Sequence, residues 1–543
     1  MPKAIVIGGG FGGIASALRM RAKGYDVTLI DKQDKLGGRG YQYHHETEHG
    51  TFVHDAGPTV ITAKFLFDEL FELFGKRRED YVEFRDIYPW YRIQFANGEQ
   101  FNYGGTMEQF EGEIRKFGGD RDVEGFRKYL AHSKRIFDKG FTDLGDQPFD
   151  KFTTMLKCAP DLAKLGAWRT VWQMSSKYIK NENLRRVFSF QPLLVGGNPF
   201  NTTSIYSLIF YLEREWGVQF AMGGTGAIVR GLQKLMEEEG IELRLGEEVA
   251  SIDIHDWPDR PKQEKFGLRQ WAKSVRLRSG EQIAPGNPGI DPRDVDWEPV
   301  VIVNGDPPAI YRNLIAPEHR PSFKDAKLDK MKYSMGLFVL YFGTTRKYDD
   351  VAHHTIVLGE TYKELLDKLF DMKQVEREDL SVYLHRPTAT DPSMAPEGME
   401  SFYVLVPVPN LQPGGKADPA DIPTHPDGTV DWAKFGDAFR DDVVRYLERT
   451  ILPGLSECIT GDFYVTPDHF RDNLNTHFGS GFSIQPIFKQ SAWFRFHNKS
   501  EDIDGLYFVG AGTHPGAGMP GVLCSAKVVD NLIPAVEPAN AGV

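Results

Sequence analysis

The feature that most constrains this chain is the order of its first 31 residues. A short apolar run, Ala4 to Ile7, is followed at once by Gly8 to Gly13, which contain the pattern G-x-G-x-x-G. Ile14, Ala17, Leu18 and Arg21 then follow one another at helical spacing, and a second apolar run ends at Asp31. This order predicts a βαβ unit that binds the pyrophosphate of a dinucleotide at its helix N-terminus.

Each part of this motif has a physical reason. Glycine at positions 8, 10 and 13 permits the tight turn, the close approach of backbone N–H groups to phosphate, and close packing of helix on strand. Asp31 follows Gly13 by 18 residues and is placed to accept hydrogen bonds from ribose hydroxyls. A glycine-rich motif alone is often an ordinary turn, but here strand, helix and acid are in register.

Later glycine-containing segments favour FAD over NAD. Lys35–Arg39 and Asp55–Thr59 both permit close backbone approach to a cofactor that extends beyond its binding turn. Near the other end, an apolar strand at Leu506–Val509 leads into the glycine-rich segment Gly510–Gly521 and then a helix at Val522–Leu532. This second turn and helix start can present N–H groups to the pyrophosphate and to the flavin ring edge.

With these segments in view, the chain resembles the bacterial and fungal-type phytoene desaturases. These are FAD-dependent carotenoid desaturases within the larger amine-oxidase-like flavoprotein group. The most specific segment is His514–Gly518, whereas the N-terminal motif is shared by many flavoproteins. Further matching segments are Leu193–Phe200, Leu212–Val218, Phe338–Gly343, Ala352–Thr355 and Gln490–Arg495.

The resemblance implies an oxidoreductase that dehydrogenates phytoene in successive steps, with lycopene as the preferred end product. Flavin N5 would accept hydride while the neighbouring allylic carbon loses a proton. A desaturase ending at neurosporene, one acting on hydroxylated or monocyclic carotenoids, and a non-catalytic prenyl-lipid-binding protein stay open as alternatives. An amine oxidase is a further alternative, but its aromatic cage and amine-anchoring carboxylate are not identified in the sequence.

The predicted fold is α/β, with a Rossmann-like FAD-binding domain, a mixed-sheet substrate domain and a helical, membrane-facing lobe. We expect residues 1–85, 221–316 and 500–535 to form the discontinuous FAD-binding domain, and 86–220 with 317–499 to form the substrate-binding domain and its lobe. Residues 255–299 are rich in proline and charge and contain Trp257, Trp271 and Trp297. They are interpreted as an irregular surface insertion.

The expected FAD contacts come from both ends of the chain and from one strand between them. The resemblance places Val249 where flavoproteins of the group contact adenine through backbone groups. The expected cofactor-binding residues are Gly8, Gly10, Phe11, Gly12, Gly13, Asp31, Lys32, Gly37, Gly38, Arg39, Gly57, Pro58, Thr59, Val249, Gly510, Ala511, Gly512, Gly518, Met519 and Pro520.

From Val187 to Leu212 the chain has 26 residues without a charge, which is long enough to be considered as a membrane span. Pro192 and Gly196-Gly197 interrupt it, whereas lipid requires an uninterrupted helix. With the resemblance, we interpret the segment as the apolar wall of a polyene tunnel, and ordinary buried core is the alternative. The candidate substrate residues are Phe188, Phe190, Leu193, Phe200, Tyr206 and Phe210.

Membrane contact is expected without a span. Met155–Met174 combines apolar residues at helical spacing with Lys157, Lys164 and Arg169, which suits an interfacial helix as well as a core-facing one. The protein is expected in the cytoplasm, at the inner face of the cell membrane. No second nucleotide motif with its own ribose acid follows Asp31, so quinone or oxygen is the expected electron acceptor.

Charge, cysteine content and histidine spacing bear on nucleic-acid binding, disulfide bonds and metal sites. The net charge is −12 with no long basic run, so nucleic acid is not expected as a partner. Cys158, Cys458 and Cys524 have neither disulfide-framework nor metal-ligand spacing and are expected to be buried thiols. No metal site is expected, because the adjacent His353 and His354 should not face one site in regular structure.

The sequence does not single out a general base with any force. Conceivable groups are Asp143, Asp146, Glu213, Glu215 and His514. His514 is the preferred catalytic candidate because it belongs to the glycine-rich segment beside the expected flavin edge. A purely structural role in that turn is the alternative.

Overall fold

The computed structural model describes residues 1–256, 270–286, 299–414 and 422–536. The strands in chain order are β1 (Lys3–Ile7), β2 (Asp26–Asp31), β3 (Gln42–Thr47), β4 (Gly50–Asp55), β5 (Phe84–Asp86), β6 (Tyr91–Phe95), β7 (Gln100–Tyr103), β8 (Gln219–Ala221), β9 (Glu242–Leu245), β10 (Val249–Asp256), β11 (Gln270–Leu277), β12 (Gln282–Ile283), β13 (Val300–Asn304), β14 (Gly336–Thr344), β15 (His354–Leu358), β16 (Val382–His385), β17 (Glu400–Val408), β18 (Ile459–Val465) and β19 (Leu506–Val509). The α-helices are α1 (Phe11–Ala22), α2 (Phe65–Glu72), α3 (Met107–Phe137), α4 (Phe152–Lys164), α5 (Val171–Tyr178), α6 (Glu182–Val187), α7 (Leu208–Trp216), α8 (Thr225–Glu238), α9 (Pro307–Leu314), α10 (Asp325–Leu328), α11 (Tyr362–Asp367), α12 (Trp432–Thr450), α13 (Pro467–Asp472) and α14 (Met519–Leu532).

A five-stranded parallel sheet carries the predicted βαβ unit. Its strand order is β19-β13-β1-β2-β9, and every neighbouring pair is parallel. The strands are short apolar runs because both faces of a parallel sheet are covered. Each strand comes from one of the three pieces of chain assigned to the FAD-binding domain, although the domain boundaries themselves stay predictions.

The two faces of this sheet are covered differently. Ala4 and Val6 of β1 point into a core shared with α1, α8 and α14. Ile5 and Ile7, with the opposite strand parity, pack against β10, β11 and α9. The period of two in the strand therefore separates a helical layer from a mixed layer.

The segment interpreted as an irregular insertion is more ordered than expected where the structure describes it. Strands β10, β11 and β12 form a three-stranded antiparallel sheet, and Trp271 and Ala272 of β11 are buried, Ala272 in the adjoining core. The irregular interpretation is therefore wrong for this part, because alternating apolar residues in β11 supply a buried face that proline content concealed. Trp257 and Trp297 lie outside the described residues.

The larger sheet is mixed, as predicted. Its seven strands run in the order β18-β14-β17-β16-β15-β6-β7, and β15 with β6 is the parallel pair. One face, with Leu337 and Val339, packs toward α3 and α7. The other face, with Phe338 and Leu340, is covered by α12. The α/β class with mixed sheets is thereby confirmed.

The uncharged stretch from Val187 to Leu212 forms short helical turns and the first half of α7. Within the described residues, no helix is both long enough and apolar enough to cross a bilayer. The segment instead packs between α5 and the core that α3 forms with the seven-stranded sheet. An isolated β-bridge joins Thr170, the residue before α5, to Thr203. The three cysteines are buried free thiols, as expected.

Candidate active site

One continuous cavity of about 940 Å³ joins the parallel sheet to the larger mixed sheet. Its wall begins at Gly8 and Asp31, at the carboxyl ends of β1 and β2. It passes Thr59 and Met519 and continues into an apolar part that includes Leu193 and Phe488. Ligands of open α/β sheets bind outside the carboxyl ends of the strands, so the first part has the expected position for a nucleotide.

The glycine-rich turn has the backbone that close phosphate approach requires. Gly8 has φ +94°, and a Cβ there would lie 2.3 Å from the carbonyl oxygen of Asn304. A Cβ on Gly10, the residue before α1, would lie 2.7 Å from Asn304 Nδ2. Gly12 and Gly13 serve packing beneath this turn, since a Cβ on Gly13 would meet the Gly8 carbonyl oxygen at 1.9 Å.

Asp31 braces the same turn. Its Oδ2 accepts a hydrogen bond from the Gly9 N–H at 2.6 Å, and its Oδ1 accepts one from the Gln33 N–H at 2.7 Å. Burial raises the carboxyl pKa, and the two backbone donors oppose that rise. Lys32, beside it in the wall, donates to Asp472 O at 2.8 Å and Asn475 Oδ1 at 2.9 Å.

Arg39 is the clearest sign that this part of the cavity suits an anionic, electron-rich cofactor. Its Nε is buried and has no hydrogen-bond partner, and burial lowers the pKa of the guanidinium, with Asp306 partly opposing this. A buried donor without a partner is costly. The pyrophosphate or ring oxygens of FAD would satisfy it, so the residues present fit this cofactor.

The expected C-terminal contacts lie in the same wall. Gly510, Ala511, Gly512, Gly518, Met519 and Pro520 all line the cavity. The loop is braced by Arg495, whose guanidinium donates to the carbonyl oxygens of Ala511 at 2.5 Å and Thr513 at 2.9 Å. Phe11, Gly37, Gly38, Gly57, Pro58 and Val249 also line it.

Thr59 connects the expected flavin edge to the larger sheet. Its hydroxyl lies 3.0 Å from Tyr383 Oη and 2.8 Å from Tyr403 Oη. Tyr403 Oη also donates to the Gly57 carbonyl oxygen at 2.9 Å. The two tyrosines therefore fix this loop against the mixed sheet.

The six substrate candidates divide into two groups. Phe190, Leu193 and Tyr206 line the cavity. Phe188 and Phe210 instead fill the core with Phe126 and Tyr129, and Phe200 packs against Trp172 with ring centroids 4.7 Å apart. For these three the tunnel-wall expectation is corrected, because an apolar run does not reveal which side chains face a cavity.

The conceivable bases also separate by position. Glu213 and His514 belong to the cavity wall. Asp143 pairs with Lys139 at 3.2 Å, Asp146 accepts from Gln147 at 2.8 Å, and Glu215 accepts from Tyr211 at 2.8 Å. Asp143, Asp146 and Glu215 are thus each paired with a neighbouring side chain and do not line the cavity.

His514 is held by the segment opposite the glycine-rich loop. Its Nε2 lies 3.3 Å from the Leu144 carbonyl oxygen, and its ring packs on Phe149 at a centroid distance of 4.9 Å. Burial lowers the pKa of this imidazole to about 4, so the ring is neutral near pH 7.

Three buried histidines meet behind the wall, contrary to the sequence argument about adjacent residues. His353, His354 and His385 place nitrogen atoms within 4.8 Å of one another. This is possible because β15 begins at His354, so His353 is not bound by strand alternation. Burial lowers the pKa of His353, and the nearby Arg386 guanidinium lowers it further. The same guanidinium would repel a cation, so we assign no metal to this cluster.

Sequence reasoning missed Asn304, Arg495, Tyr383 and Tyr403. Asn304 had a usable signal, since a polar residue at the carboxyl end of an apolar strand marks the ligand edge of a parallel sheet. The other three are recognisable only by their contacts with groups distant in the sequence, which are backbone carbonyls for Arg495 and Tyr403 and side chains for Tyr383.

Comparison with known proteins agrees with this geometry. The family model described as flavin containing amine oxidoreductase matches residues 11–529. The chain is 43% identical over 533 residues to the phytoene desaturase (lycopene-forming) of Pseudescherichia vulneris, covering 98% of this chain and 99% of that protein. It is 43% identical over 534 residues to the protein of the same description from Pantoea ananas, with the same coverage of both chains.

A further relative and two solved structures are more distant. The phytoene desaturase (neurosporene-forming) of Rhodobacter capsulatus is 38% identical, with 98% of this chain and 94% of that protein covered. An oxidoreductase from Methanosarcina mazei has a TM-score of 0.60 at 14% identity, covering 97% of this chain and 100% of that one. A putrescine oxidase double mutant has a TM-score of 0.56 at 11% identity, with 98% of both chains covered. These structures show the fold alone.

Proposed function

The chain belongs to the phytoene desaturases within the flavin-containing amine oxidoreductase family, and from this premise we propose that it dehydrogenates phytoene in successive steps, with lycopene as end product. The observation that carries the proposal is the continuity of the cavity from the dinucleotide turn to an apolar chamber. Lycopene is preferred to neurosporene because lycopene-forming relatives reach 43% identity, whereas neurosporene-forming relatives reach 38%.

The residues that would hold FAD are the Gly8–Gly13 turn, Asp31, Arg39 and the Gly510–Pro520 loop. When bound, FAD supplies the acceptor for the hydride that leaves the substrate. The protein fixes the loop at Thr59 through Tyr383 and Tyr403.

The apolar part of the cavity would orient the substrate by shape. A hydrocarbon offers no polar handle, so position must come from close packing against side chains such as Leu193, Ile356 and Phe482. Holding a saturated carbon pair near the oxidant converts an improbable encounter into a local one.

We further propose that the protein rests on a membrane surface through one apolar patch, named here the mouth patch. It consists of Phe152 (50% exposed), Leu156 (57%), Trp168 (66%), Phe488 (47%) and Phe494 (39%). Large apolar side chains clustered on a surface mark an interaction site. Ring contacts link three of its members, with Phe152 on Trp493 at 5.0 Å, Trp493 on Phe494 at 5.3 Å and Phe488 on Phe494 at 6.3 Å. Leu156 lies one helical turn after Phe152 on α4, and Trp168 follows the end of that helix.

Two features favour a lipid surface as the occupant of the mouth patch. Met155, Leu162 and Phe488, from the same segments, also belong to the cavity wall, so a hydrocarbon could pass from lipid into the cavity. The exposed side chains Lys157, Lys164 and Lys489 are placed beside the patch in the sequence and suit anionic headgroups. The proposed location is the cytoplasmic face of the cell membrane, with quinone or oxygen as the final electron acceptor.

The direct test is anaerobic incubation of the purified protein with phytoene liposomes, FAD and a quinone, followed by pigment analysis. Lycopene formation supports the proposal. Accumulation of neurosporene would contradict the proposed end product, and a colourless protein that retains a prenyl lipid without converting it would favour a binding function. Oxidation of amines but not of phytoene would favour an amine oxidase.

A further inference from the structure

Glu213 is a buried carboxyl group in the wall of an otherwise apolar chamber. It lies on α7, is 1% exposed, and belongs to the cavity lining together with Tyr91 of β6. The other carboxyl groups of that wall in the described chain belong to segments at the nucleotide end of the cavity. They are Asp31, Asp34, Glu247, Glu248 and Asp306.

Two tyrosines hold the Glu213 carboxylate in one orientation. Tyr91 Oη donates to Oε1 at 3.0 Å, and Tyr103 Oη donates to Oε2 at 2.7 Å. Gln191 in turn donates to Tyr103 Oη at 3.2 Å. A carboxylate can accept about four hydrogen bonds, so these two leave acceptor positions free.

Glu213 lines the same cavity as Thr59, at the expected flavin edge, and a chain of side-chain contacts runs between the two. The rings of Tyr91 and Tyr383 both flank His354, at centroid distances of 5.8 and 5.7 Å. Tyr383 in turn contacts Thr59 through its hydroxyl. Glu213 is therefore linked through Tyr91, His354 and Tyr383 to the Thr59 loop, beside which the substrate would lose hydrogen.

A carboxyl group at this position gives nothing to the binding of a hydrocarbon. Its burial costs free energy that a ligand without polar atoms cannot offset. We propose that Glu213 is the proton acceptor of the desaturation, and this inference rests on the proposed function. One C–H bond gives up its hydrogen as hydride to the flavin, the adjacent C–H bond gives its proton to Glu213, and its electron pair forms the new double bond.

The surroundings suit this role. Burial raises the pKa of Glu213 to about 7, while Tyr103, Tyr91 and Gln191 oppose the rise through hydrogen bonds. The titratable groups that face it are Tyr91, Tyr103, Tyr129 and Arg214, and the Arg214 guanidinium lies over the rings of Trp90 and Phe110, 4.8 Å from each centroid. A base whose conjugate acid has a pKa near the working pH is most effective. His514, with its pKa near 4, is the weaker base.

The test compares the wild-type protein with Glu213→Gln and with Glu113→Gln, a control at a buried glutamate that pairs with Lys116 in the same lobe. The rate of flavin reduction by phytoene in liposomes is measured from pH 5.5 to 9. The wild-type rate should rise through about pH 7, as Glu213 loses its proton. Glu213→Gln should reduce flavin at least about 100-fold more slowly and should lack this rise. Glu113→Gln should retain both the wild-type rate and its rise with pH.

A readout independent of turnover is the infrared carbonyl band of a buried carboxylic acid. Burial raises the pKa of Asp55 to about 7 as well, so in the apoprotein both carboxyl groups should contribute to the band that titrates near pH 7. Glu213→Gln should remove the Glu213 part of this band, whereas the control should retain both parts. Tyr91→Phe, which removes one donor to the carboxylate, should move the rise in rate to higher pH. This variant keeps the proposal testable where Glu213→Gln does not fold.

The outcomes separate this inference from the proposed function. A wild-type protein that produces no desaturated carotenoid overturns the proposed function. An active wild type whose Glu213→Gln variant retains its rate and its pH dependence overturns the role of Glu213. Tyr91→Phe with an unmoved pH profile also overturns it.

Discussion

Asn304 Nδ2 donates to the Gly8 carbonyl oxygen at 3.3 Å, which fixes the asparagine side chain against the glycine-rich turn between β1 and α1. The same side chain lies where a Cβ on Gly10 would project, 2.7 Å from Nδ2. The turn thus leaves room for glycine alone, and the backbone N–H groups at the start of α1 remain accessible to phosphate.

Gly10→Val should abolish flavin retention, because the new side chain displaces Asn304 and blocks the approach to phosphate. Flavin absorbance per protein after purification measures this. Gly112→Val is a matched control, since a Cβ at Gly112 meets no atom within 4 Å. Full flavin content in Gly10→Val would contradict the assigned cofactor site.

The mouth patch should govern membrane binding. Trp168→Glu combined with Phe488→Glu should greatly reduce flotation with anionic liposomes, because two exposed apolar anchors become charged. Leu73→Glu, at a 40% exposed leucine following α2, should float normally. High salt or carbonate should release the wild-type protein, and extraction by detergent alone would argue for a different attachment.

Turnover should proceed with FAD and a quinone or air and without NAD(P)⁺. The physical reason is that a dinucleotide site needs a strand, a helix start and a ribose acid in register, and the sequence repeats this set nowhere after Asp31. Pigment formation with each acceptor is the measurement. Strict dependence on added NAD(P)⁺ would contradict the prediction.

The buried histidine cluster should make the fold less stable in acid. Burial lowers the pKa of His353 to about 3 and those of His354 and His385 well below the usual value. The unfolded chain therefore binds more protons below about pH 6.5, and the stability present above that pH is lost as pH falls. For each histidine that stays neutral in the folded protein, the free energy of unfolding should fall by about 1.4 kcal/mol per pH unit in that range.

Urea unfolding at pH 7.5, 6.5 and 5.5 measures this slope. In His353→Gln the decrease in unfolding free energy between pH 6.5 and 5.5 should be smaller than in the wild type, because one imidazole with a lowered pKa has been removed. His49→Gln, which changes a surface histidine of the β3–β4 turn, should leave the slope unchanged. An equal slope in wild type and His353→Gln would contradict the assignment.

The sequence predicted well where function depends on residues close together in the chain. The βαβ unit, the α/β class and FAD followed from Gly8 to Asp31 and from the Gly510–Gly521 segment. Glycine positions and apolar runs of fixed period determine local backbone structure, so they can be recognised from the sequence alone. The resemblance added the substrate class, which no local pattern contains.

The interior of the cavity was not predictable in the same way. Phe190 lines it and Phe188 does not, although the two differ by only two positions in one apolar run. Likewise, the sequence does not reveal the order in the proline-rich segment, because β11 is held by pairing with β10 and by burial against residues distant in the chain.

The sequence by itself determined the βαβ unit and predicted which of its turns would hold the dinucleotide, because glycine's conformational freedom and the spacing to Asp31 are local properties. Only the tertiary structure decided which carboxyl group enters the apolar chamber. Glu213 lies 122 residues from Tyr91 and 110 from Tyr103. Their meeting is fixed by packing of α7 against the mixed sheet, and burial of this kind is a property of the whole fold rather than of any segment.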